Sequence, residues 1–262
     1  MLGWLFNKQR AVWLDRLRQC DAELRRRAAV RIVRLVGLGP RPHATATVHE
    51  AAAANAQPGE QVMDYCAGGG GKTLAMAAQM QGKGQIFAYD IDGRRLSALI
   101  PRLKRSGAHN VQLVHPSEPT QLEDLSDQMD LVFVDAPCTG TGTWRRRPDA
   151  KWRLKERQLE KRMGEQDEIL AAASAYVKPG GRLLYATCSF LMEEDEDRVA
   201  KFLAAHSEFS EEDAAESAIA SGLLTEEGAA LVRKYRGPTG SVRLTPRRAG
   251  TDGFFFAVLR RA

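Results

Sequence analysis

The sequence predicts a doubly wound α/β domain, a Rossmann-like parallel sheet covered by helices, preceded by a short basic helical extension. Three observations carry that prediction. From about Thr45, short apolar runs alternate with helix-period segments over roughly 150 residues, the pattern that builds a parallel sheet through right-handed crossovers. A glycine run, "DYCAGGGGKT" at 64–73, directly follows the first of those runs. Residues with chemistry to offer fall at the carboxyl ends of the later runs, which is where open α/β sheets bind ligands. The chain divides into the extension, residues 1–44, and the α/β domain, residues 45–262.

Each element has its own signal. Residues 10–36 carry apolar positions at helical spacing among many arginines, and "GLGPRP" at 37–42 breaks that pattern. "HEAAAANA" is a helix, and "QVMDYC" is a buried strand running into the glycines. "TLAMAAQM" reads as helix and "QIFAYD" as a second strand. "RRLSALIPRLKRSG" is a helix that Pro101 kinks or delays, because proline removes a backbone donor. "VQLVH" and "DLVFVDAP" are the third and fourth strands. "ERQLEKRMGEQDEILAAASAYV" is a long helix stopped by Pro179-Gly180-Gly181. "RLLYATCS" is the fifth strand, "EDRVAKFLAAH" a further helix, and "SVRLTP" and "FFFAVLRR" late strands.

Composition narrows the function. A hydrophobic share of 44% with 27% charged residues is ordinary for a soluble globular chain. No run of about 18 apolar residues is present, so no membrane span is expected, and "MLGWLF" is too short for a signal-peptide core. Four cysteines without a C-x-x-C pair argue against a disulfide framework and a thiolate zinc site. A reducing, cytoplasmic setting and no metal are expected. The net charge of +5 is unevenly spread. Residues 1–50 hold ten Lys/Arg against four Asp/Glu, and 144–162 hold nine against three. Segment 190–216 reverses the sign, with ten acids against two bases. Basic blocks are the footprint of a polyanion such as nucleic acid, or else solvated helix faces.

The glycine run looks like a nucleotide loop and is not one. A phosphate-cradling P-loop needs G-x-x-x-x-G-K-S/T, and reading back from Gly71-Lys72-Thr73 its first glycine would be Cys66. The dinucleotide spacing G-x-G-x-x-G fails too, since Gly68 and Gly70 would require glycine where Thr73 stands. What remains is a loop of close backbone approach with Asp90, 26 residues after Asp64, placed to hold ribose hydroxyls. Two cysteines add a second function. Cys138 in "PCTGTG" and Cys188 in "TCS" close the fourth and fifth strands among small polar residues, whereas Cys20 and Cys66 read as structural thiols. A thiolate can add to an electron-poor ring such as cytosine.

With those residues in view, the chain resembles the Nol/Nop/Sun (RsmB-like) RNA cytosine-5 methyltransferases. "DYCAGGGGKT" is similar to their D-x-C-A-x-P-G-G-K-T cofactor loop, with Gly69 in place of the proline. "DAPCTGTGTWRRRPDAKW" and "KPGGRLLYATCSFLMEEDED" resemble their D-A-P-C and T-C-S blocks, with Asp195 where asparagine usually stands. The likeness covers about residues 58–206 and 241–261. It implies a Rossmann-like methyltransferase domain, S-adenosylmethionine as cofactor, and a ribosomal or transfer RNA substrate bound by a monomeric chain. It implies Cys188 as the nucleophile on carbon 6 of cytosine, Cys138 as an aid to product release, and Asp135 and Lys72 beside the target base. Asp90 takes the cofactor ribose. The backbone of Cys66, Ala67, Gly68, Gly69, Gly70 and Gly71 lines the methionine part, with Lys72 and Asp135 close by. Arg145, Arg146 and Arg147 are expected to grip RNA phosphates. After the third strand only Glu118 is near, so adenine recognition has no assigned residue. Members usually carry a sizeable N-terminal RNA-binding domain; here a basic arm of about 45 residues precedes the α/β pattern. Two readings stay beside this one. A DNA cytosine methyltransferase would use the Pro-Cys cysteine, and an idle RNA-binding assembly factor would keep only the fold.

Overall fold

The computed structural model describes residues 42–262, so the predicted basic helix at 10–36 lies outside the described residues. The first half runs α1 (Pro42–Ala54), β1 (Gln61–Asp64), α2 (Gly71–Gln79), β2 (Gln85–Tyr89), α3 (Gly93–Ser97), α4 (Ile100–Ser106), β3 (Val111–Val114), α5 (Pro119–Glu123) and β4 (Met129–Asp135). The second half runs α6 (Ala150–Arg153), α7 (Glu156–Ser174), β5 (Val177–Thr187), α8 (Glu196–Ala205), β6 (Phe209–Glu212), α9 (Ala214–Ala220), α10 (Glu226–Lys234), β7 (Val242–Leu244), α11 (Pro246–Ala249) and β8 (Phe254–Arg261). The sheet order is β3-β2-β1-β4-β5-β8-β6, with β7 also pairing to β8. Strands β1 to β5 are parallel, and β8 returns antiparallel to β5.

Both sheet faces are covered, so every central strand is apolar on both sides. Leu131 and Phe133 of β4 enter one core with Leu184 of β5 and Phe254 and Phe256 of β8. Val132 and Val134 enter the other with Leu183, Tyr185 and Phe255. That period of two is what a strand imposes. Helices α1 and α9 pack on the first face, and α7 and α8 on the second.

Two expectations change in detail. Pro101 does more than kink a helix: the segment is two helices, with Pro101 in the first turn of α4, where a missing N–H costs nothing. Helix α7 ends at Ser174, and Pro179-Gly180-Gly181 lie inside β5. The β4–β5 register shifts there, between Met129 and Leu131, which lets the strand carry proline and glycine. After β3 the chain crosses back to β4 on the other side of β1. The resulting switch point opens a crevice beyond the carboxyl ends of β1 and β4.

Candidate active site

Five segments meet at that crevice. The loop after β1 folds back on the end of β2, where the buried Asp90 carboxylate accepts the Gly68 N–H at 2.8 Å and the Asp92 N–H at 2.9 Å. Gly68 sits at φ +51°, a conformation glycine adopts without strain. A carboxylate has about four lone-pair sites, so Asp90 retains acceptor capacity for a pair of hydroxyls. Gly71 opens helix α2 with clear space where a Cβ would stand. Gly70 has a packing reason instead: a Cβ there would lie 2.0 Å from Leu99 Cδ1. Ala67 is buried, Cys66 is half-buried against the β1–β4 face, and Gly69 is exposed, its carbonyl accepting from Arg102. Burial pushes the Cys66 thiol far up, so it is a neutral wall. These residues fit a nucleoside with a vicinal diol, and nothing in the loop is arranged for a phosphate.

Lys72, in the first turn of α2, donates to Asp135 at the end of β4 and lies 3.2 Å from Glu50 of α1. Burial works to lower the Lys72 ammonium, but Asp135 and Glu50 hold it well above its ordinary range. Lys72 is therefore a fixed cation held between Asp135 and Glu50. Glu50 was not foreseen from sequence. Burial raises it to about 7, against the pull of Lys72.

The two cysteines come together. Cys138 Sγ and Cys188 Sγ are 3.2 Å apart, both free, well beyond the ~2.05 Å of a disulfide bond. The hydrogen bond to Cys188 and then burial push the Cys138 thiol well above its ordinary value. The two thiols are thus in hydrogen-bond contact, and either can donate to the other. Both cysteines are pinned by their neighbours. The Cys188 carbonyl accepts from Gly142 N at 3.0 Å, and Ser189 Oγ meets Thr141 Oγ1 at 2.9 Å. Gly142 has no room for a side chain, since its Cβ would lie 2.0 Å from the Gly253 carbonyl.

Around Cys138, the fully buried Glu194 accepts from Thr139 N at 2.7 Å, from Thr139 Oγ1, and from Gln166 Nε2 at 3.2 Å. The same Gln166 amide donates to Pro137 O at 2.9 Å, so both neighbours of Cys138 are clamped. Glu194 sits in the acidic run "MEEDED", which from sequence is indistinguishable from a solvated face. Asp195, the residue that departs from the family pattern, is buried and accepts Thr187 Oγ1 at 2.6 Å. Burial holds it well above the carboxylate range.

Asp64, at the end of β1, is buried, accepts Thr73 Oγ1 at 2.6 Å, and is raised by burial to about 7 from 3.8. Because its folded pKa lies above its unfolded one, its contribution is complete below about pH 3.8 and is lost as pH rises toward about 7. Asp64→Asn is therefore expected to raise stability at pH 8 by on the order of a few kcal/mol while leaving it near wild type at pH 4. Thermal melts at the two pH values check this, and an equal shift at both would show that Asp64 does not titrate in that window.

The arginine block is less available than expected. Arg146 Nε is 2.5 Å and Arg145 Nη2 3.6 Å from the buried Asp252 carboxylate, and Arg145 also donates to Gly250 O. Arg147 is exposed. Ile91, directly after Asp90, is 84% exposed, an apolar surface at the mouth of the diol site. Among the described residues no group of His, Cys, Asp or Glu could hold a metal ion, and no helix is long and apolar enough to cross a membrane.

Sheet order, glycine loop, ribose-type acid and strand-end cysteines define the Rossmann-like methyltransferase class. The chain belongs to the 16S rRNA methyltransferase RsmB/F family, whose model matches residues 51–260. Ribosomal RNA small subunit methyltransferase B of Erwinia tasmaniensis is 34% identical over 203 residues, 77% of this chain and 42% of that protein. The crystal structure of PH0851 superposes with a TM-score of 0.70 at 35% identity, covering 82% of this chain and 46% of that one. NSun6 from Pyrococcus horikoshii, determined with SFG, gives a TM-score of 0.66 at 27% identity over 82% of this chain and 51% of that one. The chain spans less than half the length of the curated relatives it matches.

Proposed function

We propose that the chain transfers a methyl group from S-adenosylmethionine to carbon 5 of a cytosine in ribosomal or transfer RNA, in the cytoplasm, with Cys188 as nucleophile. The observation that carries this reading is the pair of free thiols 3.2 Å apart at the ends of the strands that also carry Asp135, the partner of Lys72. When bound, S-adenosylmethionine supplies the methyl group that an activated carbon 5 takes up. Asp90 would accept from its ribose hydroxyls, and the Ala67–Gly71 backbone would line its amino-acid part. The related structure determined with SFG, an S-adenosylmethionine analogue, supports that cofactor.

The protein's own steps follow from the geometry. Cys188 passes its thiol proton to solvent and adds to carbon 6; the carbon–sulfur bond forms as the 5,6 double bond opens, which makes carbon 5 nucleophilic. Asp135 holds the polar edge of the base, and the Lys72 ammonium stabilises negative charge developing on the ring. After methylation solvent takes the carbon-5 proton, the electron pair of that C–H bond re-forms the 5,6 double bond as the carbon–sulfur bond breaks, and the Cys138 S–H can donate to the departing Cys188 thiolate. A nucleophilic Cys138, as in a DNA cytosine methyltransferase, would instead lose the covalent adduct in Cys138→Ala.

The test is incorporation of labelled methyl from S-adenosylmethionine into RNA from a strain lacking the gene. Label in RNA supports the reading; RNA binding without label would leave the idle assembly factor. Two narrower outcomes follow. Asp90→Ala weakens S-adenosylhomocysteine binding by about 1–3 kcal/mol, the scale of a hydrogen bond to a charged group, and unchanged affinity in calorimetry would remove Asp90 from the site. Each phosphate contact on a single strand contributes about 0.7 to the slope of log K against log salt. Arg147→Ala is expected to remove one such contact, whereas Arg145 and Arg146, paired with Asp252, contribute less. An unaltered slope in Arg147→Ala would return that side chain to the solvated surface.

A further inference from the structure

Trp152 plays no part in the mechanism above and no part in the core. Its side chain is 81% exposed, on the short helix α6. Large aromatic side chains are usually well covered in folded proteins. The neighbouring Trp144 shows the ordinary arrangement: it is half-buried, edge-on to Phe190 at 5.4 Å. The surroundings of Trp152 are cationic. Lys151 Nζ stands 4.6 Å from its ring centroid, and Arg147 and Lys155 are exposed on either side in sequence. Arg153 is partnered by Asp149 at 2.6 Å. The segment also starts from the catalytic junction. Gly142 bonds the Cys188 carbonyl and Arg146 is anchored to Asp252, so the chain leaves the cysteine pair and within ten residues presents Trp152 to solvent.

An exposed indole among unpaired cations matches single-stranded nucleic acid. Every base has a face that stacks on an aromatic ring, while the cations track the backbone. We infer that Trp152 is a stacking platform for an unpaired nucleotide of the RNA substrate, with Arg147, Lys151 and Lys155 on the flanking phosphates. This rests on the RNA reading above. The chain's own N-terminal segment is a poor alternative occupant, since residues 1–50 carry the same positive sign. The acidic segment 190–216 of a second copy has the complementary charge, so self-association is the competing outcome.

The experiment compares the full chain with Trp152→Ala and Trp152→Phe. The probe is a fluorescent single-stranded oligoribonucleotide of about twelve nucleotides, within the range that such grooves cover, and the same sequence annealed as a duplex. Trp152→Ala is expected to bind the single strand roughly 5- to 100-fold more weakly, with Trp152→Phe retaining most of the affinity. Stacking releases no counterions, so the salt slope of Trp152→Ala should equal that of the wild type. Duplex binding should be nearly unaffected. Wild-type affinity in Trp152→Ala, equal losses for strand and duplex, a reduced salt slope, or no binding of the oligomer by the wild type would each overturn the platform. So would sedimentation showing that the wild type dimerises and Trp152→Ala does not. Methyl incorporation by the wild type is measured in parallel. A chain that methylates RNA yet binds the strand normally as Trp152→Ala loses the platform and keeps its reaction. A chain that fails to methylate but loses strand binding in that variant keeps the platform.

Discussion

Cys188→Ala is expected to abolish methyl transfer and leave no covalent RNA adduct, whereas Cys138→Ala is expected to accumulate one. The asymmetry follows from the thiol pair. An unperturbed cysteine has a pKa near 8.5, so only a few per cent is thiolate at neutral pH. The two sulfurs are 3.2 Å apart, so a Cys138 S–H can donate to a Cys188 thiolate as it departs. In the proposed mechanism, removing Cys188 removes the attacking sulfur. Removing Cys138 leaves the attack possible, more slowly, and takes away the donor that steadies the departing thiolate, so bond breaking suffers more than bond making. The adduct is read as an RNA–protein species stable in a denaturing gel, and the double variant forms none. Trapping in Cys188→Ala but not in Cys138→Ala would reverse the two roles.

Lys72→Met lowers turnover by about 10²–10³-fold, the scale for one preorganised group aimed at developing charge, and destabilises the protein more at pH 8 than at pH 6. The ammonium sits between Asp135 and the buried Glu50, and its loss leaves two carboxylates facing each other. Breaking a buried pair costs about 3–5 kcal/mol unless the stranded group can take up a proton. Glu50 is raised by burial to about 7 with Lys72 in place and goes higher without it. A carboxyl whose folded pKa exceeds its unfolded one loses stability as pH rises, so the penalty is largest above pH 7 and shrinks below it. Lys72→Arg keeps the charge and is expected to keep most of the stability. Thermal melts across pH 6–8 and single-turnover rates check both parts. A Lys72→Met protein as stable as wild type at pH 8 would mean that the three charges are not coupled.

The sequence announced the strands more clearly than the helices between them. "QVMD", "LVFVD" and "LLYAT" are buried on both faces, so each is a continuous apolar run bounded by polar residues. Strand β6, "FSEE", was not legible, because an edge strand with only Phe209 fully covered looks like an acidic loop. Pro179-Gly180-Gly181 read as a stop and instead lie in a strand with a register shift, a tertiary accommodation that local propensity does not show. The site divides the same way. Cys138, Cys188 and Asp90 stood out at predicted strand ends, and Asp135 and Lys72 through the family resemblance; the fold brings Lys72 and Asp135 together, and Cys138 and Cys188 together. Glu50 and Glu194 were not, since a lone glutamate in "HEAAAANA" or "MEEDED" looks solvated until the fold brings it against Lys72 or the Cys138 loop. The pairing of Arg145 and Arg146 was hidden for the converse reason: their partner, Asp252, is more than a hundred residues away.

The central claim is that this site methylates carbon 5 of cytosine through a thiol adduct, and the position of the methyl group on the base tests it most directly. RNA from a strain lacking the gene is incubated with the protein and isotopically labelled S-adenosylmethionine, digested to nucleosides, and resolved by mass spectrometry. The account predicts that the label appears in 5-methylcytidine and vanishes when Cys188→Ala replaces the wild type. Label in N4-methylcytidine or a methylated purine, or 5-methylcytidine formed undiminished by Cys188→Ala, would contradict it.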